Sequence, residues 1–374
     1  MKFKVSSTKL FAQLQALGKV VVAKNSLQIL EGILFDLDGQ VLTLTASDSE
    51  TTIQTKLAVE DAEGAGKVVF TARFLIDTLK EFPEQILTFD INDQNFGLNI
   101  ISDNGNYNFV GTNGQEYPQM PGISEDAHSF TIPSKVLLGA ISKTLFCAAD
   151  DELRPVMNGV YFDLKEDNLT MVATDAHRLV RLIYKGIGSD QPASFILPKK
   201  PANLLKSILG KDEEQVTVTF TDKNTRFEFA DTVIICRQIE GRFPNYNAVI
   251  PQNNFNKVTV DRQTILNAAR RVAVFANQGT GLIKLAISEN SITISAQDID
   301  FSTSAEEQIS CSYSGESMAI GFKAPFLIEI LSSINSNDIN IELNDPSKAG
   351  LIMPFENEEN EELVVLIMPM LLND

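Results

Sequence analysis

Leu42-Thr-Leu-Thr-Ala-Ser-Asp48 occurs again, with changed side chains, as Leu169-Thr-Met-Val-Ala-Thr-Asp175 and as Ile292-Thr-Ile-Ser-Ala-Gln-Asp298. Each copy alternates apolar and polar residues, as a half-buried strand does, and closes on an aspartate. The three aspartates lie 127 and 123 residues apart. A repeat of this length is far above solenoid size and is as long as a globular domain.

Each copy has the same neighbours, which indicates that whole domains are repeated. An alternating strand leads into a helical pattern upstream, and a second helical pattern followed by another strand lies downstream. The predicted helices are Thr8–Lys24, Thr71–Phe82, Ser134–Ala149, Pro198–Lys211, Arg262–Ala276 and Lys323–Ile334. The predicted strands that follow the second helix are Ile86–Ile91, Val216–Phe220 and Ile339–Leu343. The sequence therefore predicts three domains, over residues 1–122, 128–251 and 253–374.

The periodicity predicts an α+β fold in each domain. Leu10, Leu14 and Leu17 recur at helical spacing and form one apolar stripe. The strands alternate apolar residues with Thr, Ser, Asp or Gln, as in an antiparallel sheet that is wet on one face. Two helices packed on the dry face give a two-layer domain.

Composition narrows the class of protein. No run of eighteen apolar residues exists, and the first residues, Met1-Lys-Phe-Lys, lead into a polar stretch and not into the apolar core of a signal peptide, so we expect a protein that stays in the cytoplasm. Cys147, Cys236 and Cys311 are widely spaced among apolar neighbours, which favours buried, reduced thiols. The chain has only two histidines, and its cysteines are not spaced as metal ligands or as disulfide partners. Neither a metal nor another cofactor is therefore expected.

The charge distribution is uneven. The chain carries a net charge of −18, yet the six predicted helices hold fifteen basic and three acidic residues. Lysine and arginine are good helix formers on solvated faces, but glutamate is equally good and is scarce here. The helices are therefore expected to face something negative, with the acidic residues elsewhere.

Repeated domains with a basic helical side can close into a ring. A domain of this size is roughly 35 Å across. Three such spheres leave a hole of about 5 Å, whereas six leave about 35 Å, enough for a duplex of roughly 20 Å. Two chains joined head to tail are the smallest ring that admits DNA, and closed dimers are common.

Four motifs resemble those of the β subunits of bacterial DNA polymerase III, the sliding clamps. They are Thr174-Asp-Ala-His-Arg-Leu179, Gly241-Arg-Phe-Pro-Asn-Tyr246, Tyr313-Ser-Gly-Glu-Ser-Met318 with Ile320-Gly-Phe322, and Met368-Pro-Met370. The resemblance spans the whole chain in order. It implies the DNA-clamp fold, with antiparallel sheets outside and helices inside a six-domain ring. The implied function is a non-catalytic processivity factor that encircles duplex DNA and tethers polymerase III, the clamp loader, other polymerases and repair proteins.

The resemblance also implies three sets of functional residues. The implied DNA contacts are Lys24, Arg73, Lys199 and Lys200, followed by Lys19, Lys143, Arg270 and Arg271. The implied cleft for short partner peptides comprises Met157, Thr174, His177, Arg178, Leu179, Pro244, Val249, Lys323, Phe326, Leu366, Ile367, Met368, Pro369 and Met370. The implied dimer interface joins Tyr107 and Phe109 to Val274 and Phe275.

Each set has a simpler interpretation. Exposed lysines often make no measurable energetic contribution. The apolar C-terminal tail could be an ordinary last core strand. Phe109 could face the core of its own domain. Two departures from the family bear on the cleft: Leu371–Asp374 stands where an arginine is common, and Ala248 replaces a basic residue.

Two functions from other classes compete with a clamp. One is a monomeric repeat enzyme that uses paired carboxylates, and the other is an acidic protein-binding scaffold. Asp48, Asp175 and Asp298 recur, but an aspartate at a strand end is typically a turn former. The acidic run Asp150–Glu152 is more typical of a solvated helix end than of a metal site. No nucleotide-binding or nucleophile motif is present.

Overall fold

A computed structural model of the chain describes residues 1–124, 126–189, 191–210 and 214–372. Within these ranges it has six α-helices and twenty-six β-strands. The helices are α1 (Ser7–Gly18), α2 (Ala72–Leu79), α3 (Ser134–Thr144), α4 (Lys199–Ile208), α5 (Arg262–Ala273) and α6 (Ala324–Ser333).

The strands fall into three groups, one in each repeat. The first group is β1 (Lys2–Ser6), β2 (Gly32–Asp38), β3 (Val41–Ser47), β4 (Thr51–Ala58), β5 (Glu60–Glu63), β6 (Gly66–Thr71), β7 (Ile86–Ile91), β8 (Gly97–Ile101), β9 (Asn106–Val110) and β10 (Thr112–Asn113). The second is β11 (His128–Pro133), β12 (Gly159–Leu164), β13 (Asn168–Thr174), β14 (Arg178–Lys185), β15 (Ala193–Pro198), β16 (Gln215–Phe220), β17 (Asn224–Phe229) and β18 (Thr232–Arg237). The third is β19 (Asn256–Asp261), β20 (Leu282–Ser288), β21 (Ser291–Asp298), β22 (Thr303–Ser310), β23 (Met318–Lys323), β24 (Asp338–Leu343), β25 (Gly350–Pro354) and β26 (Glu361–Ile367).

The three repeats share one order of elements. Each runs strand, helix, four strands, helix, three strands, and the first repeat adds the short strands β5 and β10. The strands that the sequence predicted after each second helix are present as β7, β16 and β24. The internal repeat is therefore confirmed as a repeat of structure.

All strand pairs are antiparallel, and the described strands form four sheets. Their orders are β5-β1-β7-β8-β9, β10-β6-β2-β3-β4-β18-β17-β16-β11, β15-β12-β13-β14-β26-β25-β24-β19 and β22-β21-β20-β23. Two of these sheets cross from one repeat to the next, because β4 pairs with β18 and β14 pairs with β26.

The chain has two compact units. The described parts of residues 1–138 and 203–238 form one, and those of 139–202 and 239–374 form the other. In the first unit Phe3 stacks on Phe89 at 5.1 Å between ring centroids, and the two rings are fully buried. In the second, Phe162 stacks on Phe195 at 4.6 Å. Aromatic stacking of this kind adds about 1 kcal/mol to the burial of each pair.

The helices bury the stripe that the sequence predicted, since Leu10, Leu14 and Leu17 of α1 have no exposed surface. The predicted helix ends were wrong, however. α1 stops at Gly18 because glycine and the valines that follow are poor helix formers. Lys24 therefore lies in a loop, with a φ of 63°.

The other predicted helices are also too long. α3 gives way to a 3-10 turn at Leu145, and α5 ends at Ala273, which leaves Val274 and Phe275 beyond the helix. α4 ends at Ile208, so the predicted helix is too long at residues 209 and 210, and its predicted last residue, Lys211, lies outside the described residues. None of the described helices is long and apolar enough to span a membrane.

Candidate functional sites

The three recurring aspartates form the same turn in each repeat. The Oδ1 atom of Asp48 accepts hydrogen bonds from the backbone N–H groups of Glu50 (3.0 Å) and Thr51 (2.6 Å). Oδ1 of Asp175 accepts from His177 (2.9 Å) and Arg178 (2.7 Å). Asp298 does the same for Asp300 (3.0 Å) and Phe301 (3.3 Å). The interpretation of these residues as turn formers is confirmed.

The acidic run after α3 is engaged in ion pairs. Asp150 contacts Lys199 Nζ at 2.6 Å, and Asp151 contacts Arg154 at 2.8 Å. Among the described residues, no group of three or more His, Cys, Asp or Glu side chains is arranged to hold a metal ion.

Arg178 is the charged centre of the predicted cleft. Its side chain is only 6% exposed, and its Nε and Nη1 atoms contact Asp175 (3.0 Å) and Glu329 (2.5 Å). Its guanidinium lies 4.1 Å from the ring centroid of Phe326 and 5.6 Å from that of Phe146. Burial alone would lower the pKa of Arg178, but the bond to Glu329 and the nearby negative charge outweigh it, so that pKa is raised. Arg178 is thus a permanent buried cation that joins the β13–β14 hairpin to α6.

α6 supplies an aromatic wall beside this hairpin. The His177 ring stacks on Phe326 at 6.1 Å between centroids, and Lys323 Nζ lies 4.9 Å from the same ring. Contacts of cations with an aromatic face are worth about 0.5–1 kcal/mol when exposed and more when desolvated. His177, Arg178, Lys323 and Phe326 are therefore brought together as predicted from the resemblance.

The C-terminal tail has two parts. Leu366 and Ile367 end β26 and are buried, so this part is a core strand, as the simpler interpretation holds. Met368 is 43% exposed and donates its backbone N–H to the His177 carbonyl at 2.8 Å. Met370 donates likewise to the Gly321 carbonyl at 2.8 Å. The residues after β26 therefore run from the hairpin to β23.

The loop that carries the Gly241–Tyr246 motif forms another wall. Phe243 stacks on Tyr161 at 4.7 Å with the rings 3° from parallel. Tyr246 donates its hydroxyl to Asp163 at 2.7 Å, and burial together with this bond raises the pKa of Tyr246. The loop is thus held firmly against β12, and it continues to the half-exposed Val249.

Phe243 and Tyr246 of this loop belong to an apolar cluster. Its buried members are Val172, Leu179, Ile196, Phe243, Tyr246, Ile250, Ala349, Leu351, Val364 and Leu366, with Val156, Tyr161, Ile239 and Met353 partly buried against them. Leu179 and Leu366 were predicted cleft residues; Pro244 lies half-buried in the loop, and Met157 lies half-buried in the turn after Pro155. Thr174 is buried and bonds the Arg178 carbonyl.

Sequence reasoning missed several residues of this region. Phe146, Glu329, Leu351 and Met353 contact Arg178 or the cluster, although no motif marks them. Tyr246 was visible as the last residue of a quoted motif, but its bond to Asp163 has no sequence signal.

The eight predicted DNA contacts differ in exposure. The exposed members are Lys19, Lys24, Arg73, Lys200, Arg270 and Arg271, and Lys199 is partly exposed. Lys19 donates to the Ser207 carbonyl at 3.2 Å, and Arg271 is paired with Glu307. Lys143 is only 11% exposed and is held by Glu358 (2.9 Å) and Glu361. Its two carboxylate partners make Lys143 the least suited of the eight to a phosphate contact.

The predicted interface residues lie beside two sheet edges. β9 ends the five-stranded sheet and β22 ends the four-stranded one, so each has one strand neighbour among the described strands. Tyr107 of β9 is 40% exposed and packs edge-to-face on Phe82, while Phe109 is half-buried. Val274 is 80% and Phe275 39% exposed after α5.

The cysteines are free thiols. Cys147 and Cys236 are buried, as predicted, while Cys311 is partly exposed. Burial raises the pKa of Cys147 and of Cys236, and the charge of Asp48 acts in the same direction on Cys236.

Comparison with known proteins identifies the family. Models of the N-terminal, central and C-terminal domains of the DNA polymerase III β subunit match residues 1–121, 131–245 and 247–371. The chain belongs to the DNA polymerase III β subunit family. The β sliding clamp of Bacillus subtilis (strain 168) is 28% identical over 382 residues, covering 99% of both chains. That of Staphylococcus aureus (strain Mu50) is 26% identical over 377 residues, covering 98% of this chain and 99% of the relative.

Solved clamp structures match the whole chain. The sliding clamp of Pseudomonas aeruginosa bound to griselimycin superposes with a TM-score of 0.93 at 25% identity, covering all of both chains. The clamp of Bacillus subtilis superposes with a TM-score of 0.92 at 26% identity, with the same coverage. The three-domain clamp fold and the sliding-clamp function are thereby confirmed, and the family is non-catalytic. The carboxylate enzyme and the acidic scaffold find no support.

Proposed function

We propose that two copies of this chain join head to tail into a ring that encircles duplex DNA and tethers polymerase III and other replication and repair proteins to it. The observation that carries this proposal is the pattern of strand pairing between repeats. The third strand after the first helix is β4, β14 or β22 in successive repeats, and the third strand after the second helix is β9, β18 or β26. β4 pairs with β18 and β14 pairs with β26.

Among the described strands, one such junction does not form within the chain. β22 of the third repeat and β9 of the first have the same places in their repeats as the paired strands, yet each ends its sheet. Unpaired edges invite association with another strand. A second copy offers β9 to β22 and β22 to β9, so two identical junctions close the assembly. We propose Tyr107, Phe109, Val274 and Phe275 as its apolar contacts.

The basic residues would line the central hole of the proposed ring, which we call the bore. Our proposed phosphate contacts are Lys24, Arg73, Lys200, Lys199, Lys19, Arg270 and Arg271. Lys143 is the eighth, and it would have to leave its two carboxylate partners to reach a phosphate. Contacts to phosphate carry no sequence information, which suits a protein that must slide. An acidic exterior keeps the attraction loose.

The exposed and partly exposed side chains around the buried apolar cluster would receive short partner peptides. A surface that combines the flexible side chains of Met368 and Met370 with the fixed rings of Phe326 and Phe243 suits many partners, because methionine adapts its shape. Polymerases, the clamp loader and repair proteins are the proposed partners.

We also propose the domain boundaries 1–122, 128–251 and 253–374. The proposed place of action is the cytoplasm, because that is where a bacterial chromosome is copied.

Retention on circular DNA tests the proposal. The protein would be loaded on a nicked circular plasmid by a clamp loader, separated by gel filtration, and the plasmid then cut once. The expected result is retention on the circle and release after cutting, with a native mass of two chains. Val274→Glu with Phe275→Glu should give monomers that are not retained. Phe255→Glu, at an 80% exposed site outside the proposed interface, is the matched control and should remain dimeric. A monomeric unsubstituted protein would overturn the proposal.

A further inference from the structure

The two junctions inside the chain have the same register. In the first, Ile53 of β4 lies opposite Ile234 of β18. In the second, Val180 of β14 lies opposite Val365 of β26. If the third junction forms in the same way between two copies, its register can be read from the repeat.

The equivalent residue in β22 follows from the turn aspartates. Ile53 lies opposite Ala46, two residues before Asp48, and Val180 lies opposite Ala173, two residues before Asp175. In the third repeat, Ala296 lies two residues before Asp298. The residue opposite Ala296 is Ala305. Ala305 therefore has the place of Ile53 and Val180.

The equivalent residue in β9 follows from the other sheet of each repeat. Successive cross-strand partners, starting from the first strand, are Phe3, Phe89, Ile100 and Tyr107 in the first repeat. They are Phe130, Val218, Phe227 and Ile234 in the second. They are Val258, Ile341, Ile352 and Val365 in the third. Tyr107 therefore has the place of Ile234 and Val365.

We propose that β9 of one copy pairs antiparallel with β22 of the other, with Tyr107 opposite Ala305. This inference rests on the proposed dimer and adds its register. Asn108 then lies opposite Ser304, and Asn106 lies opposite Glu306. The side-chain volumes fit, because the large ring of Tyr107 would meet the methyl group of Ala305. The other two junctions pair two branched aliphatic residues at this position.

The register also gives the outer face of the junction an apolar contact. Val110 is 80% exposed and would face the turn between β21 and β22, where Ile299 is 80% and Phe301 71% exposed. This turn lies at the same end as the α5 terminus, since Asn277 Nδ2 donates to Asp298 at 3.3 Å. The paired edges would thus be covered on the helix side by Tyr107 and Phe109 and on the outer side by Val110.

Disulfide trapping tests the register. Cysteines directly opposite each other on antiparallel strands have Cβ atoms about 5 Å apart, whereas diagonal neighbours are about 7–8 Å apart. In a Cys311→Ser background, Asn108→Cys with Ser304→Cys and Asn106→Cys with Glu306→Cys should form covalent dimers on mild oxidation. The matched shifted pairs, Asn108→Cys with Glu306→Cys and Asn106→Cys with Ser304→Cys, should yield on the order of tenfold less.

The outcomes separate this inference from the dimer itself. Preferential trapping of a shifted pair, with a dimeric native mass under reducing conditions, would overturn the register and leave the ring intact. A monomer under reducing conditions, for the unsubstituted chain as well, would overturn both.

A charge swap gives a second test. Val110→Lys or Ile299→Glu alone should weaken the dimer at least about tenfold, and the two together in one chain should recover much of that loss through the new ion pair. Lack of recovery, with the two single effects simply adding, would remove the outer contact.

Discussion

Arg178 and Arg154 offer a matched comparison at the scale of single residues. Each pairs with an aspartate three positions earlier, but Arg178 is 6% exposed and Arg154 is 46% exposed. Arg178 also bonds Glu329, the Phe146 carbonyl and two aromatic faces. A buried charge network is costly to break, whereas an exposed pair contributes little.

We expect Arg178→Ala to lower the free energy of unfolding by about 2–4 kcal/mol, because it removes the donor to the Phe146 carbonyl and the cationic partner of Asp175 and Glu329. Arg178→Lys should recover only part of this loss, since an ammonium cannot reproduce the planar fork. Arg154→Ala should change stability by less than about 1 kcal/mol. Urea unfolding of the three variants measures these values. Equal losses at the two arginines would contradict the buried-network account.

The buried thiols predict a dependence of stability on pH. Burial raises the pKa of Cys236, so the folded protein keeps this thiol neutral at a pH where the unfolded chain ionises it. The contribution is fully present below about pH 8.5 and is lost as pH rises, by about 1.4 kcal/mol for each pH unit and each such thiol.

We expect Cys236→Ala to be less stable than the unsubstituted protein at pH 7 but to lose stability more slowly between about pH 9 and 11. Cys311→Ala, at a partly exposed site, is the control and should change the slope less. Urea unfolding at several pH values gives the slopes. An unchanged slope in Cys236→Ala would mean that this thiol does not contribute.

Residue types and spacing predicted some of these environments and missed others. The aspartate at a strand end has a local partner within three residues, so its role as a turn former could be inferred. Lys143, by contrast, is paired with Glu358 and Glu361, which lie more than two hundred residues away in sequence. A lysine on a predicted helix therefore looked free for phosphate when it is already held.

At the scale of elements, the three repeats share an aspartate turn after β3, β13 and β21. The turn after β3 holds the backbone of Glu50 and Thr51 through Asp48, whereas Asp175 holds the Arg178 side chain in addition to its own turn. Asp298 bonds the Asn277 side chain as well.

We expect Asp48→Ala to cost about 1–2 kcal/mol of stability, because two backbone N–H groups lose their acceptor. Asp48→Asn should cost less, since its amide oxygen can still accept. Asp175→Ala should cost more than Asp48→Ala, because it also removes a partner of the buried Arg178. Thermal unfolding ranks the three variants, and an equal cost for the alanine and asparagine changes at Asp48 would contradict the turn-forming role.

Alternation and helical spacing predicted which segments form strands and helices, but not which strands meet. Pairing of β4 with β18 joins segments from different repeats, and no local pattern encodes it. Helix ends were overestimated because the pattern of apolar residues continues past Gly18 and past Ala273, while the backbone hydrogen bonds do not. The family resemblance supplied the predicted cleft residues, and the pairing of strands supplied the argument for the proposed dimer.

At the scale of the whole molecule, the chain combines a net charge of −18 with exposed basic residues that include Lys24, Arg73 and Lys200. Two forces should therefore govern its hold on DNA, and they respond differently to salt. Attraction of lysine and arginine for phosphate falls steeply as salt rises, because binding releases condensed counterions from DNA and this release is less favourable when the surrounding salt concentration is high. An apolar strand junction is not weakened by salt.

We expect reversal of Lys24, Arg73 and Lys200 to glutamate to reduce the number of proteins loaded per circle at low salt, and to lower the salt slope by about 0.9 for each lost phosphate contact. Lys257→Glu, at an exposed site on β19 outside the proposed bore, is the control and should load normally. Counting labelled protein per plasmid at several salt concentrations gives both quantities.

Protein that is already loaded should behave in the opposite way. At about 1 M salt the screening length falls to about 3 Å, so phosphate contacts no longer hold the protein. A closed ring should nevertheless remain on a nicked circle at that salt and leave only when the plasmid is cut. The triple reversal variant, once loaded, should be retained as long as the unsubstituted protein, because retention depends on the junctions and not on the bore. Loss of either protein from uncut circles at the rate seen with linear DNA would show that charge, and not closure, holds this chain on DNA.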